Sequence, residues 1–393
     1  MEEKEIPYAQ WLYRIKGLGS KTIFHLLDGD VKPSRLYQMS KEEWMERLPA
    51  GKSRLAQAME QARTQYEPEQ EYRKLLSQGI RFTCAGHESY PYLLAQIPDR
   101  PFGIYYMGRL PDEHRPSLAI IGARNCSPYG IYMAEKFGRE LAEAGVQIIS
   151  GMARGIDGIS QQTVLENNGY SLAVLGCGAD VCYPAENRKL YQRLQKQGGI
   201  CSEYIPGTLP QSMLFPPRNR IISGLADGVL VIEAKQKSGT LITVDMALEQ
   251  GREVFALPGR ANEPLSEGCN RLLKQGACMV LDTQDILREL EKLPRFCHGI
   301  TTALPERKQR KETDADGEGK GSERNTRKPG LCEIIRKVLD LTPKTVEEIR
   351  MEVFHMTDEE YSVSEIAAML MQMELSGMVQ SAGNGGFMEK IRF

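Results

Sequence analysis

Seven short apolar runs alternate with helix-length segments over residues 73–292, and this alternation constrains the fold more than any other feature. Continuous runs rich in Val and Ile, separated by helices such as 129–144 and 240–250, are typical of a parallel sheet covered on both faces. Because crossovers in such sheets are right-handed, the pattern predicts an α/β, doubly wound, Rossmann-like domain, with extra strands over 73–117 leading into it. The runs are LAIIG (118–122), VQIIS (146–150), SLAVLG (171–176), GICSEY (199–204), GVLVIEA (228–234), EVFALPG (253–259) and CMVL (278–281).

The first 70 residues carry a different pattern, of short amphipathic helices broken by glycine-containing segments at 17–19 and 48–53. Ser20 stands where it is expected to cap the second helix. These breaks predict two helix–hairpin–helix units over residues 1–70, whose glycines would let backbone amides bind phosphate. The alternative is a plain helical bundle with glycine at its helix C-caps, and the sequence leaves both open. The cations beside the two glycine segments are Lys16, Lys21 and Lys52.

After the Rossmann-like region, which ends near residue 292, the sequence predicts a linker and a small helical domain. Residues 305–330 hold 14 charged residues among 26, which is typical of a flexible connection, so we expect a charged linker over 293–330. Residues 331–393 predict three helices and a hairpin, the order of a winged-helix domain, with capping boxes that begin at Thr345 and Ser362. Six Lys and Arg against eleven Asp and Glu give this domain a net charge of −5. We therefore expect a protein-interaction module rather than a DNA reader.

The composition narrows the classes of function. A hydrophobic content of 41% and a net charge of −2 describe a globular chain, so any site for a polyanion must be a local basic patch. Since no apolar stretch reaches about 18 residues, we expect no membrane span, and the acidic start MEEKEIPYAQ lacks the apolar region of a secretory signal. Nine scattered cysteines without a C-x-x-C pair indicate free thiols in a reducing cytoplasm and no structural zinc site.

Glycine and basic residues follow almost every predicted strand, at the edge where doubly wound sheets bind their ligands. Glycine permits close backbone approach, helix N-termini supply positive partial charge, and arginine binds phosphate oxygens with two donors. These positions therefore predict a surface for a phosphate-bearing ligand longer than one nucleotide. The predicted contact residues are Gly122, Arg124, Gly151, Arg154, Asn187, Arg188, Lys189, Arg218, Asn219, Arg220, Ser238, Gly239 and Thr240.

Arg124 is the residue expected to contribute most, because it directly follows the first strand of the predicted parallel sheet. The alternative is a structural arginine paired with Asp157 or Asp180. Tyr183 and Tyr191 are candidates for stacking on unpaired bases, with burial in the core as their alternative.

The usual signatures of nucleotide binding and catalysis are missing. The sequence contains no G-x-x-x-x-G-K-[ST] loop, and no G-x-G-x-x-G pattern follows the first parallel strand. Residues 115–297 contain no histidine, so Ser and Cys nucleophiles there have no imidazole partner. We therefore expect a binding protein rather than an enzyme, with no cofactor and no metal. The carboxylates expected to form ion pairs with arginines are Asp157, Asp180, Glu203, Asp227, Glu233 and Asp245.

Eight motifs follow one another in unbroken order over about residues 75–290: GARNCSPYG, SGMARGID, VLGCGADVCYPAENRKLY, SEY, FPPRNRIISGLADGVLVIEA, KSGTLIT, A-x-EQGREVFALPG and EGCNRLLKQGA. Their succession resembles that of the DprA/Smf family of bacterial DNA-processing proteins. The resemblance implies an extended Rossmann fold, flanked by a SAM-like helical domain and a winged helix, that binds single-stranded DNA without sequence specificity in natural transformation and recombination. It also implies homodimerisation, hand-over of the strand to the RecA recombinase, and no established catalytic activity.

The chain departs from this family pattern at three positions. Ala123 stands where the family usually has serine, Ala185 where a lysine often follows Tyr-Pro, and Pro217 where the family has a further arginine. The alternative function is that of a phosphoribohydrolase-like, nucleotide-processing enzyme on a related scaffold. Gly239-Thr240 keeps part of the motif of such enzymes, but the Pro-Gly-Gly and the glutamate that flank it there are missing.

Overall fold

The computed structural model of the chain describes residues 1–49, 51–293, 331–339, 343–357, 361–375, 378–382 and 386–389. The chain divides into two compact units, Met1–Leu304 and Pro305–Phe393. All but the first residue of the predicted linker over 293–330 lies outside the described residues. So do the first three residues of the predicted hairpin turn over 383–386, whose fourth residue, Gly386, begins a strand. The predicted domain boundaries therefore stay predictions.

A nine-stranded sheet forms the centre of the first unit. Its strands are β1 (Arg81–Cys84), β2 (Gly103–Gly108), β3 (Ser117–Ile121), β4 (Gln147–Ser150), β5 (Ser171–Val174), β6 (Gly199–Ser202), β7 (Gly228–Val231), β8 (Glu253–Ala256) and β9 (Cys278–Met279). They lie in the order β1-β2-β6-β5-β4-β3-β7-β8-β9. Neighbours from β6 to β9 in this order are parallel, while β2 is antiparallel to β6 and β1 to β2. The predicted doubly wound parallel sheet, with extra strands before it, is confirmed.

Helices cover both faces of this sheet, and β3 shows why its sequence is apolar throughout. Successive side chains of a strand point to opposite faces. The helices of this unit are α1 (Ile6–Arg14), α2 (Ser20–Leu26), α3 (Pro33–Gln38), α4 (Lys41–Arg47), α5 (Ser53–Gln65), α6 (Pro68–Ser77), α7 (Tyr92–Ala95), α8 (Pro128–Glu143), α9 (Ile156–Glu166), α10 (Arg188–Gln197), α11 (Phe215–Gly224), α12 (Gly239–Glu249), α13 (Glu267–Lys274) and α14 (Thr283–Glu291). Leu118 and Ile120 of β3 pack in one core with α8, α9 and α14. Ala119 and Ile121 pack in another core, with α11, α12 and α13. Short 3-10 helices lie at Glu3–Glu5, Ala185–Asn187 and Ser212–Leu214.

The N-terminal helices pack on the antiparallel side of the sheet. Trp11 of α1 belongs to the same buried cluster as Phe82 of β1, so these helices share one core with the sheet. The prediction that Ser20 caps the second helix is wrong. Gly19 occupies the N-cap position, and Ser20 Oγ instead accepts a hydrogen bond at 3.0 Å from the amide of Phe102, in the segment just before β2.

The second unit contains α15 (Leu331–Val338), α16 (Val346–Thr357) and α17 (Val363–Leu375), followed by the antiparallel strands β10 (Val379–Ala382) and β11 (Gly386–Glu389). Both predicted capping boxes are confirmed. The amide of Glu348 donates to Thr345 Oγ1 at 3.3 Å, and the Glu348 carboxylate accepts from the amide of Thr345 at 2.7 Å. Ser362 and Glu365 form the same pair of bonds. The winged-helix assignment of this unit stays a prediction.

The eight cysteines in the described part of the chain are free thiols. Four of them are buried, and burial raises the pKa of Cys84, Cys201 and Cys269 to about 12 and that of Cys177 to about 11. Because the thiolate is the reactive form, these four side chains act as small apolar core residues. No helix within the described ranges is long and apolar enough to cross a bilayer.

Candidate nucleic-acid interface

A cleft of about 870 Å³ opens at the carboxyl ends of the central strands. Strand β3 lies between β4 on one side and β7 on the other, so the chain reverses its direction of winding here, where doubly wound sheets bind ligands. The cleft is lined by the segment 122–125 after β3, Ala153 and Asp157 after β4, residues of 215–222 in α11, several residues of 234–243 after β7, and 263–265 after β8. The structure therefore brings several of the predicted strand-end motifs to one place.

Arg124 lies exposed at the rim of this cleft. It also borders a smaller adjoining recess of about 60 Å³, together with Arg154 and Tyr183. The two carboxylates considered as alternative partners are engaged elsewhere in the described structure. Asp157 accepts a hydrogen bond from the amide of Gly151 at 3.1 Å, and Asp180 accepts one from the amide of Gly207 at 2.8 Å.

Two neighbouring loops hold the segment that carries Arg124. Thr240 Oγ1 donates to the carbonyl of Gly122 at 3.2 Å, and the amide of Ile156 donates to the carbonyl of Ala123 at 3.2 Å. Gly155 has a φ of +71°, and a Cβ atom there would lie 2.3 Å from the Ala123 carbonyl oxygen. Only glycine fits this contact, so the loop after β4 fixes the loop after β3.

Glu233, at the end of the run that contains β7, fixes the start of α8. Its carboxylate accepts a hydrogen bond from the amide of Ser127 at 3.0 Å and another from Ser127 Oγ. Ser127 Oγ in turn accepts from the amide of Gly130 at 3.1 Å. Burial raises the pKa of Glu233, although its bonds to Ser127 act in the opposite direction. The expected ion pair between Glu233 and an arginine is therefore wrong, because this carboxylate is part of the helix cap.

Arg218 forms part of the cleft floor, with only 5% of its surface exposed. Its Nη1 atom donates to the carbonyl of Gly151 at 2.9 Å and to that of Val174. Burial lowers the pKa of the Arg218 guanidinium, with the Asp157 carboxylate opposing this effect. Gly151 is buried, and a Cβ atom there would lie 2.8 Å from the Arg218 guanidinium. Arg218 and Gly151 thus position the ends of β4 and β5, and both border the cleft or its adjoining recess. Their predicted contacts with phosphate stay predictions.

Arg220 lies away from this cleft, which corrects its predicted place in the site. Its guanidinium contacts Asp99 at 3.0 Å and Glu203 at 2.7 Å, so the expected pairing of Glu203 with an arginine is confirmed. Burial raises the pKa of Glu203, although Arg220 opposes that shift. Asn219, one residue earlier in α11, does line the cleft and accepts a hydrogen bond from Arg218 Nε at 3.3 Å.

The predicted residues in the loops after β4 and β5 have mixed roles. Asn187 Nδ2 donates to the carbonyls of Met152 and Ala153 at 3.0 and 3.2 Å, which joins this loop to the one after β4. Arg154 is exposed and forms an ion pair with the equally exposed Glu186, a contact weak enough for a phosphate to replace. The remaining two cations, Arg188 and Lys189, are exposed at the start of α10, outside the lining of the cleft.

The start of α12 and the residue before it also contribute donors to the cleft. Ser238, Gly239 and Thr240 all line the cleft, as predicted. Ser238 Oγ is buried and has no hydrogen-bond partner among the described residues, so it is available to a ligand. Lys235, an exposed cation that the sequence analysis did not single out, also lines the cleft. Its position directly after the apolar run GVLVIEA (228–234) was the available signal in the sequence.

An apolar lip borders the cleft on the side of α11. Tyr183 is 43% exposed, and its ring centroid lies 5.4 Å from that of Phe215. Leu209 and Met213, in the segment that leads into α11, are also largely exposed. Tyr191 is not part of this lip: it is buried and donates to the carbonyl of Ala179 at 2.8 Å. The core alternative is therefore correct for Tyr191, whereas Tyr183 is free to stack.

Comparisons with known proteins agree with this arrangement. A family model described as DNA recombination-mediator protein A matches residues 81–291, more than half of the chain. The DNA processing protein DprA of Streptococcus pneumoniae (strain ATCC BAA-255 / R6) is 42% identical over 221 residues, which cover 56% of this chain and 76% of that protein. Protein Smf of Escherichia coli (strain K12) is 46% identical over 208 residues, covering 53% of this chain and 56% of that protein.

A solved structure extends the similarity to the fold. The X-ray structure of DNA processing protein A from Streptococcus pneumoniae superposes with a TM-score of 0.62 and 32% sequence identity, covering 72% of this chain and 97% of that one. The sheet, its strand-end motifs and the matched residues 81–291 all coincide with the region that carries the cleft. From these similarities we conclude that the chain belongs to the DNA recombination-mediator protein A family, that is, the DprA/Smf family of DNA-processing proteins.

Proposed function

We propose that this chain binds single-stranded DNA along the cleft at the carboxyl ends of β3, β4 and β7 and passes the strand to a RecA recombinase. The observation that carries the proposal is the exposed Arg124, held at the rim of the cleft by two neighbouring loops. Lys235 and the unbonded Ser238 hydroxyl add a charge and a donor to the same cleft. Such groups bind phosphate oxygens, which are the same for every base, so binding is indifferent to sequence.

The apolar lip supports a preference for single strands. The exposed ring of Tyr183, beside Phe215, can stack on a base whose faces are unpaired and open. In a duplex those faces are covered by neighbouring base pairs. The phosphate-binding side of the cleft therefore supplies affinity, and the lip supplies the distinction between single and double strands.

We propose hand-over of the strand to RecA and homodimerisation because the chain belongs to this family. Two copies would bring two clefts to one strand, which raises the overall affinity through effective concentration. Light scattering of the full chain at tens of micromolar is expected to show a species of twice 44.2 kDa. A single species at the monomer mass would contradict the dimer.

We also propose that the chain is not an enzyme and works in the cytoplasm. The alternative is a phosphoribohydrolase-like activity on nucleotides. Gly239-Thr240 is the part of that enzyme motif which the chain keeps. The Thr240 hydroxyl donates a hydrogen bond to the Gly122 carbonyl. Incubation with nucleoside monophosphates is expected to release no free base, and release of base would favour the alternative.

Binding to labelled single strands of unrelated sequence tests the proposed function. Fluorescence anisotropy titrations with a mixed-sequence strand and with oligothymidylate of equal length should give dissociation constants within about threefold, roughly 0.7 kcal/mol. Assembly of RecA on the same strand should then be faster when the chain is present. Strong dependence of the affinity on sequence would contradict phosphate-based binding.

A further inference from the structure

A second cavity, of about 850 Å³, lies where the N-terminal helices meet the sheet. It is lined by the glycine segment before α2, by Lys52 just before α5, by residues 96–100, and by Glu203 and Arg220. The two glycine segments predicted as helix–hairpin–helix units meet at this cavity, because Lys52 Nζ donates to Thr22 Oγ1 at 2.8 Å. None of the residues that line this cavity also lines the first cleft.

The charges that line this cavity do not balance. Its two carboxylates, Asp99 and Glu203, are both engaged by Arg220. Three further cations, Lys21, Lys52 and Arg100, line the same cavity and are exposed. The hydrogen bonds recorded for the last two go to uncharged groups: Lys52 to Thr22, and Arg100 Nη1 to the carbonyl of Ala95 at 2.9 Å. The cavity therefore has a surplus of positive charge.

Two further observations point to an anionic ligand with several negative groups. Arg220 Nη1 is buried and has no hydrogen-bond partner among the described residues, although the rest of the guanidinium is paired. Gly19 is exposed, and a Cβ atom there would meet no atom within 4 Å, so the backbone beside Lys21 is open to a ligand. A site with separate cations at the starts of two helices, α2 and α5, suits a chain of phosphates better than one small anion.

Helix α11 connects this cavity to the first cleft. Asn219 lines the first cleft, and Arg220, the next residue, lines the second cavity. Consecutive residues of a helix are about 3.8 Å apart and about 100° apart around its axis, so the two sites lie on neighbouring faces of α11. A strand with a phosphate at every nucleotide can therefore occupy both.

We propose that the second cavity binds the phosphate backbone of the same single strand that occupies the first cleft, with Lys21 and Lys52 as its main cations. This inference rests on the proposed function, and it assigns the N-terminal helices a direct part in holding DNA. Each lysine neutralises one phosphate, and the strand must be long enough to extend from the first cleft across α11.

The test compares full-chain variants on labelled oligothymidylates of increasing length. The variants are Lys21→Gln, Lys52→Gln and the double variant. Lys196→Gln, on the exposed end of α10, is the control for the loss of one charge in each single variant. The double variant should bind long strands about tenfold more weakly and should lose about 1.4 from the magnitude of the log–log salt slope, from 0.7 per phosphate contact. The shortest strand that the wild-type chain still binds should be bound by all variants with the same affinity.

Two results would overturn the proposal in distinguishable ways. If the wild-type chain binds no single strand, the proposed function fails and this inference fails with it. If the wild-type chain binds while the double variant matches Lys196→Gln at every length, only this inference fails. Thermal melting checks the fold, and Lys21→Gln alone keeps the test decisive if loss of the Lys52–Thr22 bond destabilises the chain.

Discussion

Arg124 and Arg218 belong to the same cleft but differ in their surroundings. The first is exposed at the rim, and the second is buried in the floor, bonded to the carbonyls of Gly151 and Val174. The sequence placed both beside strand ends as phosphate ligands. The sequence could not distinguish the exposed arginine from the buried one, because burial at those positions depends on how neighbouring loops fold over α11.

The two arginines are therefore expected to respond differently to alanine. Arg124→Ala should weaken binding to single-stranded DNA at least tenfold, about 1.4 kcal/mol, with little change in melting temperature. Arg218→Ala leaves buried carbonyls without a donor, so it should cost about 2 kcal/mol of unfolding free energy or more. Anisotropy titrations of both variants measure the change in affinity, and thermal melts measure the change in stability. A large drop in melting temperature for Arg124→Ala, with affinity per folded molecule unchanged, would contradict the assignment.

At the scale of elements, the strands and helices of the sheet could be predicted because burial on both faces makes each strand continuously apolar. The run 118–122, for example, corresponds to β3 (Ser117–Ile121). The positions of side chains around α11 could not be predicted. Arg218 and Arg220 are two residues apart, which is roughly 200° around a helix of 3.6 residues per turn. Hence one faces the cleft floor and the other reaches the second cavity.

The contact between the loops after β3 and β4 gives a prediction at this scale. Gly155→Ala would place a Cβ atom 2.3 Å from the Ala123 carbonyl oxygen and displace the segment that carries Arg124. The variant should lose stability and bind single-stranded DNA about tenfold more weakly, about 1.4 kcal/mol. Gly251→Ala is the matched control, because its φ of +66° is also positive but its Cβ would meet nothing within 4 Å. If both variants retain wild-type affinity in anisotropy titrations, this loop contact does not position Arg124.

At the scale of the whole molecule, the two units differ in charge as well as in fold. Residues 331–393 carry a net charge of −5, which repels phosphate. Truncation after residue 300 should therefore leave the affinity for single-stranded DNA within about fivefold of the full chain at equal salt, roughly 1 kcal/mol. A greater loss would mean that the acidic unit contributes directly to DNA binding.

The most direct test of phosphate-based binding to single strands is a titration of the full chain with matched single- and double-stranded oligonucleotides over a range of salt. With three or four phosphates neutralised in the first cleft, the log–log salt slope for the single strand should be about −2 to −3 per protomer. Contacts in the second cavity would steepen this slope only for longer strands. The single strand should bind more tightly than the duplex at every salt concentration. Equal or tighter binding of the duplex would contradict the proposed role of the cleft.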